Sequence, residues 1–426
     1  MTGTLLSSGS LIVPEGHVLV RMYDIGFGDC FLLAIPTPDG LKKVLIDCGS
    51  IHKRNKTKSE IVKRLIEDVR DDEGVPQIDV VIATHRHSDH VSGFSRRDWE
   101  NVQVGEVWMP WTEDPEDSEA RRIRNAQSSF AVALAGSLGI ATALEDPEDA
   151  LEEDDATGLS STLALNALSN ERAMNTLHHG FKGHPRRRFL PDEDSVVTGF
   201  GTASLPGVVV HVLGPSRTEE VIRDMDPPNA QAYFRFQAGV GQNQEIPELF
   251  GNYYWDNDDV PLNVLTDADI KTIHSFNDQE ENALAIALDK AVNGTSLMLL
   301  FVVGNLHLLF PGDAQWGTWK AALEDPVTRR LLEKTNFYKV GHHGSHNATP
   351  VEFVEDVLGV GGTGPRSAMV SVRSRSQWEQ IPRKPLLENL EARVGAIARS
   401  DVTEDQPGFR RDGDWHVEIE LPIGAE

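Results

Sequence analysis

Thr84-His85-Arg86-His87-Ser88-Asp89-His90 holds four potential metal ligands, His85, His87, Asp89 and His90, within six residues. It follows directly on Val80-Val81-Ile82-Ala83, a short apolar run of β-branched type that reads as a buried strand. Residues two apart on an extended segment point the same way, so His85 and His87 can bind one metal. Asp89 and His90 follow a turn and can face a second metal close by. Imidazole and carboxylate suit zinc and, to a lesser degree, iron or manganese. A loop leaving a buried strand at the open edge of a sheet is where α/β folds place chemistry. A lone histidine in that position would read as a surface residue. Four ligand-type side chains at this spacing read as a metal site.

Working outward, Val18–Tyr23, Cys30–Ile35 and Lys43–Ile46 read as strands, the last two joined by Pro38-Asp39-Gly40. Thr57–Arg70 reads as a helix. Thr57 and Glu60 make a capping box, and Ile61, Val62, Leu65, Ile66 and Val69 recur at helical spacing. Beyond the histidine cluster, Gly207–Leu213 is expected as a strand. Ala283–Leu288, Leu297–Val303 and Leu306–Phe310 follow as apolar segments, the last two joined by a Gly304-Asn305 hairpin turn. Helices are expected over Thr328–Lys334, from Thr349-Pro350 and over Pro385–Val394. Strands are expected over Phe337–Val340, Ala368–Val372 and Trp415–Leu421. This alternation indicates a layered α/β sandwich. The chain of 426 residues is expected to form a single domain with two insertions, 112–192 and 216–275.

A hydrophobic content of 39% describes a folded protein, not a disordered one. The net charge of −26 opposes non-specific binding to nucleic acid, whose phosphates demand a basic footprint. Much of the acid lies in the first insertion, where eight of the eleven residues from Glu145 to Asp155 are Asp or Glu. Such runs are solvated loops or docking surfaces. No signal peptide is read at Met1–Met22, and the apolar stretch Ser296–Phe310 is interrupted and too short to span a membrane, so a cytoplasmic location is expected. Cys30 and Cys48, the two cysteines, are too few for a secreted disulfide scaffold. They are expected as free, partly buried thiols that bind no metal.

The histidine cluster resembles the HxHxDH motif of the metallo-β-lactamase superfamily. Leu45-Ile46-Asp47-Cys48-Gly49 resembles the first motif of that superfamily, whose acid props the metal ligands from behind. Leu309-Phe310-Pro311-Gly312-Asp313 resembles its fourth, and Lys339-Val340-Gly341-His342-His343-Gly344-Ser345 its last. The resemblance implies an αββα sandwich and two divalent metals, zinc foremost, with manganese or iron as alternatives. It implies His85, His87, Asp89, His90, Asp313 and His342 as ligands, Asp313 bridging the two metals. His343 is the runner-up to His342, and Asp47 supports from behind the ligands. Asp24-Ile25-Gly26-Phe27-Gly28-Asp29 together with the last two motifs resembles, more narrowly, the soluble hydrolase domain of ComEC-type DNA-uptake proteins. That resemblance covers about residues 18–110, 205–215 and 280–425. Nothing here resembles their membrane channel. One departure stands out: the superfamily gives its first metal a third histidine, and this chain has Leu213-Gly214-Pro215 in the matching place. His178, His179, His211 and His274 lie in the region without aligning, and His211 reads as a packed strand residue.

A metal pair of this kind activates a water and clamps the attacked group. Asp89 would orient that water and take its proton, and His346 or Ser345 would protonate the leaving group. By the resemblance, the expected reaction is phosphodiester hydrolysis of a nuclease-like kind. Lys53, Arg54, Lys56 and Lys58, and later Arg373, Arg375, Arg383 and Lys384, supply local positive charge. The overall acidity favours a short, single-stranded or small phosphodiester. Two other readings stand beside it. One is a small-molecule esterase, thioesterase or lactonase on the same metals. The other is an effector subunit of a multi-protein system, for example of defence, docking a protein partner through its acidic insertions. A zinc lactamase of the type with a cysteine at the position of Asp313 is disfavoured, because neither cysteine falls there.

Overall fold

Alternation within the strands divides each sheet into two faces. Val18, Val20 and Met22 join one buried cluster, while Leu19 and Tyr23, between and beside them, join another. The same parity holds for Phe31 and Leu33 against Leu32, and for Val80 and Ile82 against Val81. Both faces of these strands are therefore covered. In the computed structural model the described residues are 5–9, 11–52, 54–138, 161, 163, 166–167, 170–193, 195, 199–233, 278–345, 347, 349–362, 364–373 and 381–424. His346, His274, Lys53, Arg375, the acidic run 139–160 and residues 234–277 of the second insertion lie outside them.

The first half of the chain supplies β1 (Leu5–Ser8), β2 (Leu11–Pro14), β3 (His17–Tyr23), β4 (Cys30–Thr37), β5 (Gly40–Cys48), β6 (Gln77–Ile82), β7 (Gln103–Pro110) and β8 (Arg186–Leu190). The second half supplies β9 (Phe200–Thr202), β10 (Leu205–Gly214), β11 (Met298–Val303), β12 (Leu306–Phe310), β13 (Phe337–Lys339), β14 (Ser367–Val370), β15 (Ile397–Arg399), β16 (Arg410–Asp412) and β17 (His416–Pro422). Eight strands form one sheet in the order β16-β17-β3-β4-β5-β6-β7-β8. Seven form the other, β15-β14-β13-β12-β11-β10-β9, and β1 pairs with β2 apart from both. The last strand of the chain thus returns to pair antiparallel with the first long one, His416 opposite Tyr23.

One apolar cluster lies between the two sheets, with Phe31, Ile46, Ile82 and Trp108 from one and Phe301, Phe310, Phe337 and Met369 from the other. A second cluster packs the outer face of the eight-stranded sheet under helix α1 (Lys58–Asp68), through Ile61, Val62 and Leu65. The third covers the outer face of the seven-stranded sheet. It involves the helices Trp316–Glu324 and Lys384–Val394, through Trp319 and Leu386, together with the helical turn at Phe353–Val357. The result is helix, sheet, sheet, helix, a mixed α/β architecture of the kind expected.

The remaining helices that bear on the site are α2 (Ser88–Val91), α3 (Ser118–Ser137), α4 (Asp278–Asn293), α5 (Trp316–Glu324) and α6 (Lys384–Val394). The capping box of α1 forms: the Glu60 N–H donates to Thr57 Oγ1 at 3.2 Å, and the Thr57 N–H donates to Glu60 Oε2 at 2.9 Å. Ala283–Leu288 belongs to α4 rather than to an extended segment. Its alternation of Ala with Leu and Ile fits either period, and packing of Ala285, Leu288 and Val292 against α3 selects the helix. Strand β7 was not legible as such, and β8 arises from inside the segment read as an insertion, running parallel to β7 along the sheet edge.

Candidate metal centre

Strands β5 and β6 run parallel, as do β12, β13 and β14. Contacts of His90 with Asp313 and of His343 with Asp89 bring the carboxyl ends of the two sets to one rim, and every candidate ligand leaves from such an end. At the exit of β6 the chain is clamped by Asp47, from the end of β5. Asp47 Oδ1 accepts from the Thr84 N–H at 2.7 Å and Oδ2 from the Thr84 hydroxyl at 2.7 Å. Gly49 lets the β5 loop pass against the cluster, since a Cβ there would lie 2.4 Å from Ser88 O. Gly312, at φ 55°, turns the chain after β12 so that Asp313 faces the rim.

The imidazoles of His85 and His87 meet nitrogen to nitrogen, with Nε2 of His85 3.1 Å from Nδ1 of His87. His85, His87 and Asp89 form one group of donors able to hold a metal, and Asp89, His90, Asp313 and His343 form another, the donor atoms of each group lying within 4.8 Å of one another. Asp89 belongs to both. His90 lies between two carboxylates. Its Nδ1 is 2.8 Å from Asp47 Oδ2 and its Nε2 is 3.1 Å from Asp313 Oδ2. His343 presents Nε2 to Asp89 Oδ2 at 3.2 Å, while its Nδ1–H donates to the Ser371 carbonyl at 2.8 Å.

Of the adjacent pair His342 and His343, only His343 joins a metal-capable group among the described residues. His342 instead donates its backbone N–H to Asp313 Oδ1 at 3.0 Å. Sequence places His342 as the ligand with His343 behind it; in the fold the ring of His343 joins the donor group, and the ring of His342 lies beside it with Nδ1 buried and unpartnered. Both residues adopt left-handed dihedrals, φ 44° and 53°, in a tight turn after β13. Asp47, at φ 56°, is held in the same region. Backbone strain of this sort persists where the surroundings over-determine it, as at binding sites.

Burial and charge set the protonation of the cluster. Burial, with neighbouring imidazoles, pushes His85 well down and His87 down to about 4. For His90 the burial effect is overcome by the carboxylates of Asp313, Asp47 and Asp89, which hold it well above the usual histidine range. Asp313 is held well below the usual carboxylate range, since His90, His342 and Lys339 together outweigh burial. Metal ions suit this donor set. Asp89 Oδ1, on the residue common to both groups, is buried with no hydrogen-bond partner, a state polar atoms avoid unless a ligand completes them.

Several contributors were missed from sequence. Asp29, in the turn after β3, is buried beside Asp47 and His90 and pairs with the buried Lys339, which also lies 3.5 Å from Asp313 Oδ1. Asn166 accepts from the Asp89 N–H at 3.2 Å, and Asn170 accepts from the Ser88 hydroxyl at 2.7 Å. Asp289 of α4 lies 3.9 Å from His87. The Asp24–Asp29 motif and the Lys339 motif carried a signal for the first two. Nothing local marked the asparagines or Asp289.

Other sequence candidates fall elsewhere. His178 stacks on Phe189, and neither it, His179 nor His211 joins a metal-capable group among the described residues. The Ser345 hydroxyl is committed to Asn347 Oδ1 at 2.9 Å. Arg54 is engaged by Asp24 and by the carbonyls of Ser400 and Asp401. Lys384 is exposed, 3.7 Å from Glu388. Cys30 and Cys48 face each other on β4 and β5, free and buried, and neither joins a metal-capable group. Among the described residues no helix is long and apolar enough to cross a membrane.

No curated protein matches the chain. Residues 23–169, which carry β4 to β7 and the histidine cluster, match the family model of the Metallo-beta-lactamase superfamily, whose fold agrees with the mixed α/β architecture seen here.

Proposed function

We propose that the chain is a two-metal hydrolase acting on a small or single-stranded phosphodiester. The observation that supports it most is the pair of adjoining donor groups, His85-His87-Asp89 and Asp89-His90-Asp313-His343, with Asp89 common to both. Two such adjoining groups could hold two ions, which would grip both oxygens of a displacement. When bound, the ions supply an activated water and polarise the attacked group. The chain's own residues then do the positioning. Asp47 fixes the His90 ring, the Ser371 carbonyl fixes His343, and Asp313 closes the second group against His90. Lys339 offsets the negative charge that Asp29, Asp313 and their neighbours gather in a buried place. A donor set of imidazole and carboxylate without thiolate suits zinc or manganese, ions that accept phosphate oxygens.

A second reading, hydrolysis of a small ester, thioester or lactone on the same metals, is favoured by the fate of Arg54. That cation is spent inside the fold and does not face a substrate phosphate. The two readings separate in one assay. The purified chain is loaded with zinc or manganese and given bis(p-nitrophenyl) phosphate, p-nitrophenyl acetate, a thioester and a lactone. Preferential turnover of the phosphodiester supports the first reading. Turnover of the esters alone overturns it in favour of the second, and no turnover of any by fully metallated protein overturns both.

A further inference from the structure

Each imidazole of the two donor groups, His85, His87, His90 and His343, has a nitrogen facing its group and another facing away. For three of the four the outward nitrogen has a partner. His85 Nδ1 lies 3.1 Å from Thr84 Oγ1, His90 Nδ1 lies 2.8 Å from Asp47, and His343 Nδ1 lies 2.8 Å from the Ser371 carbonyl. His87 differs. Its Nδ1 faces His85, and its outward Nε2 is buried without a hydrogen-bond partner. An imidazole that gives Nδ1 to a metal must carry its hydrogen on Nε2, so that N–H calls for an acceptor.

Asp289 stands where the acceptor is missing. Its Oδ1 lies 3.9 Å from His87 Nε2, and its Oδ2 is held by the Asn293 side-chain amide at 3.1 Å. The side chain is buried. The neighbouring Lys290 is turned away to Asp226 at 2.7 Å. A buried carboxylate is costly unless a cationic or donor group faces it. We infer that Asp289 of α4 is the positioning carboxylate of His87, doing for the first metal group what Asp47 does for the second. Closing the gap to a hydrogen bond takes a shift of about 1 Å. The helix that follows the second insertion thereby becomes part of the metal centre.

This inference rests on the two-metal reading, and metal binding separates their fates. Zinc affinity and stoichiometry are measured by competition with a chromophoric chelator, on wild type, Asp289→Ala and Asp289→Asn. Co2+-loaded samples provide absorption spectra, and thermal melts of the metal-free proteins control for folding. Wild type is expected to bind two ions. In Asp289→Ala one of the two should weaken by about 10- to 100-fold, with a changed Co2+ spectrum and an unchanged metal-free melt. Asp289→Asn, which keeps an acceptor without the charge, should lie between. Two ions bound by Asp289→Ala with wild-type affinity and spectrum would overturn the role of Asp289 alone. An Asp289→Asn protein as weak as Asp289→Ala would make Asp289 a direct ligand and likewise overturn it. Wild type that takes up no zinc would overturn the two-metal reading itself.

Discussion

Asp47 and His90 are joined at 2.8 Å, from the end of one strand to the loop after its parallel neighbour, and Asp47 Oδ1 also accepts the Thr84 N–H at the start of that loop. One carboxylate therefore fixes both where the histidine segment leaves the sheet and which nitrogen of His90 faces Asp313. Asp47→Asn keeps the size of the side chain, and Asn tolerates the left-handed backbone of this position. The variant should fold, bind zinc about 10- to 100-fold more weakly, and lose activity in proportion. Chelator competition on folded protein checks this, and an unchanged zinc affinity would refute the role.

His342→Ala and His343→Ala should part company. His343 shares a donor group with Asp89, His90 and Asp313, whereas His342 does not. Metal analysis should find one equivalent fewer in His343→Ala and the full complement in His342→Ala. The opposite result would restore the assignment expected from sequence.

Asp313→Ala removes a carboxylate that faces His90 and the His342 N–H. Two dications left with less shared negative charge repel more strongly, so the second should be held less tightly. Turnover should fall by roughly a hundredfold or more, several kcal/mol of lost stabilisation. The fold should survive, because the residue lies on a rim, as circular dichroism can verify. An active, fully metallated variant would show that Asp313 holds neither ion.

Zinc uptake should release protons. In the metal-free protein His90 is held well above the usual histidine range, so at pH 7 it carries a proton that the metal must displace. Asp289, pushed up to about 8 by burial and by Asp89 and Asp313, adds a fraction of another. His85 and His87 are pushed down, His87 to about 4, so they are already neutral at pH 7 and contribute none. About one to two protons per chain should appear at pH 7, and zinc affinity should weaken as pH falls, by about tenfold per unit for each proton displaced. Calorimetry in buffers of differing ionisation enthalpy counts them. Uptake without proton release would contradict the charge state given to His90.

Cys30→Ser with Cys48→Ser tests the thiols. Both are buried, and neither belongs to a metal-capable group. Metal content should be unchanged, while burying two hydroxyls in place of thiols should cost about 1–3 kcal/mol of stability. A lost metal equivalent would make a cysteine a ligand after all.

How much of this could be read along the chain depends on distance in sequence. Val80–Ala83 and the ligands His85 to His90 form one uninterrupted segment, so local spacing determined both the strand and a metal-capable cluster beyond it. Short apolar runs bounded by turn residues likewise marked β3, β4, β11 and β12, each of which buries both faces, one in each of two clusters. The capping box set the start of α1 for the same local reason. Where neighbours come from afar, the sequence alone was silent. Ala283–Leu288 suits a helix or a strand, and contact with α3 decided it. Arg54 looked like a free cation until Asp24, Ser400 and Asp401 closed on it. His342 and His343 are interchangeable as letters, and only the fold shows which ring shares a donor group with Asp89, His90 and Asp313. Asp289 carries no local mark, and it reaches His87 only because α4 packs across the rim at the end of β6. Spacing within one element is fixed by backbone geometry, whereas which distant side chains share a site is fixed by how the sheets and helices stack.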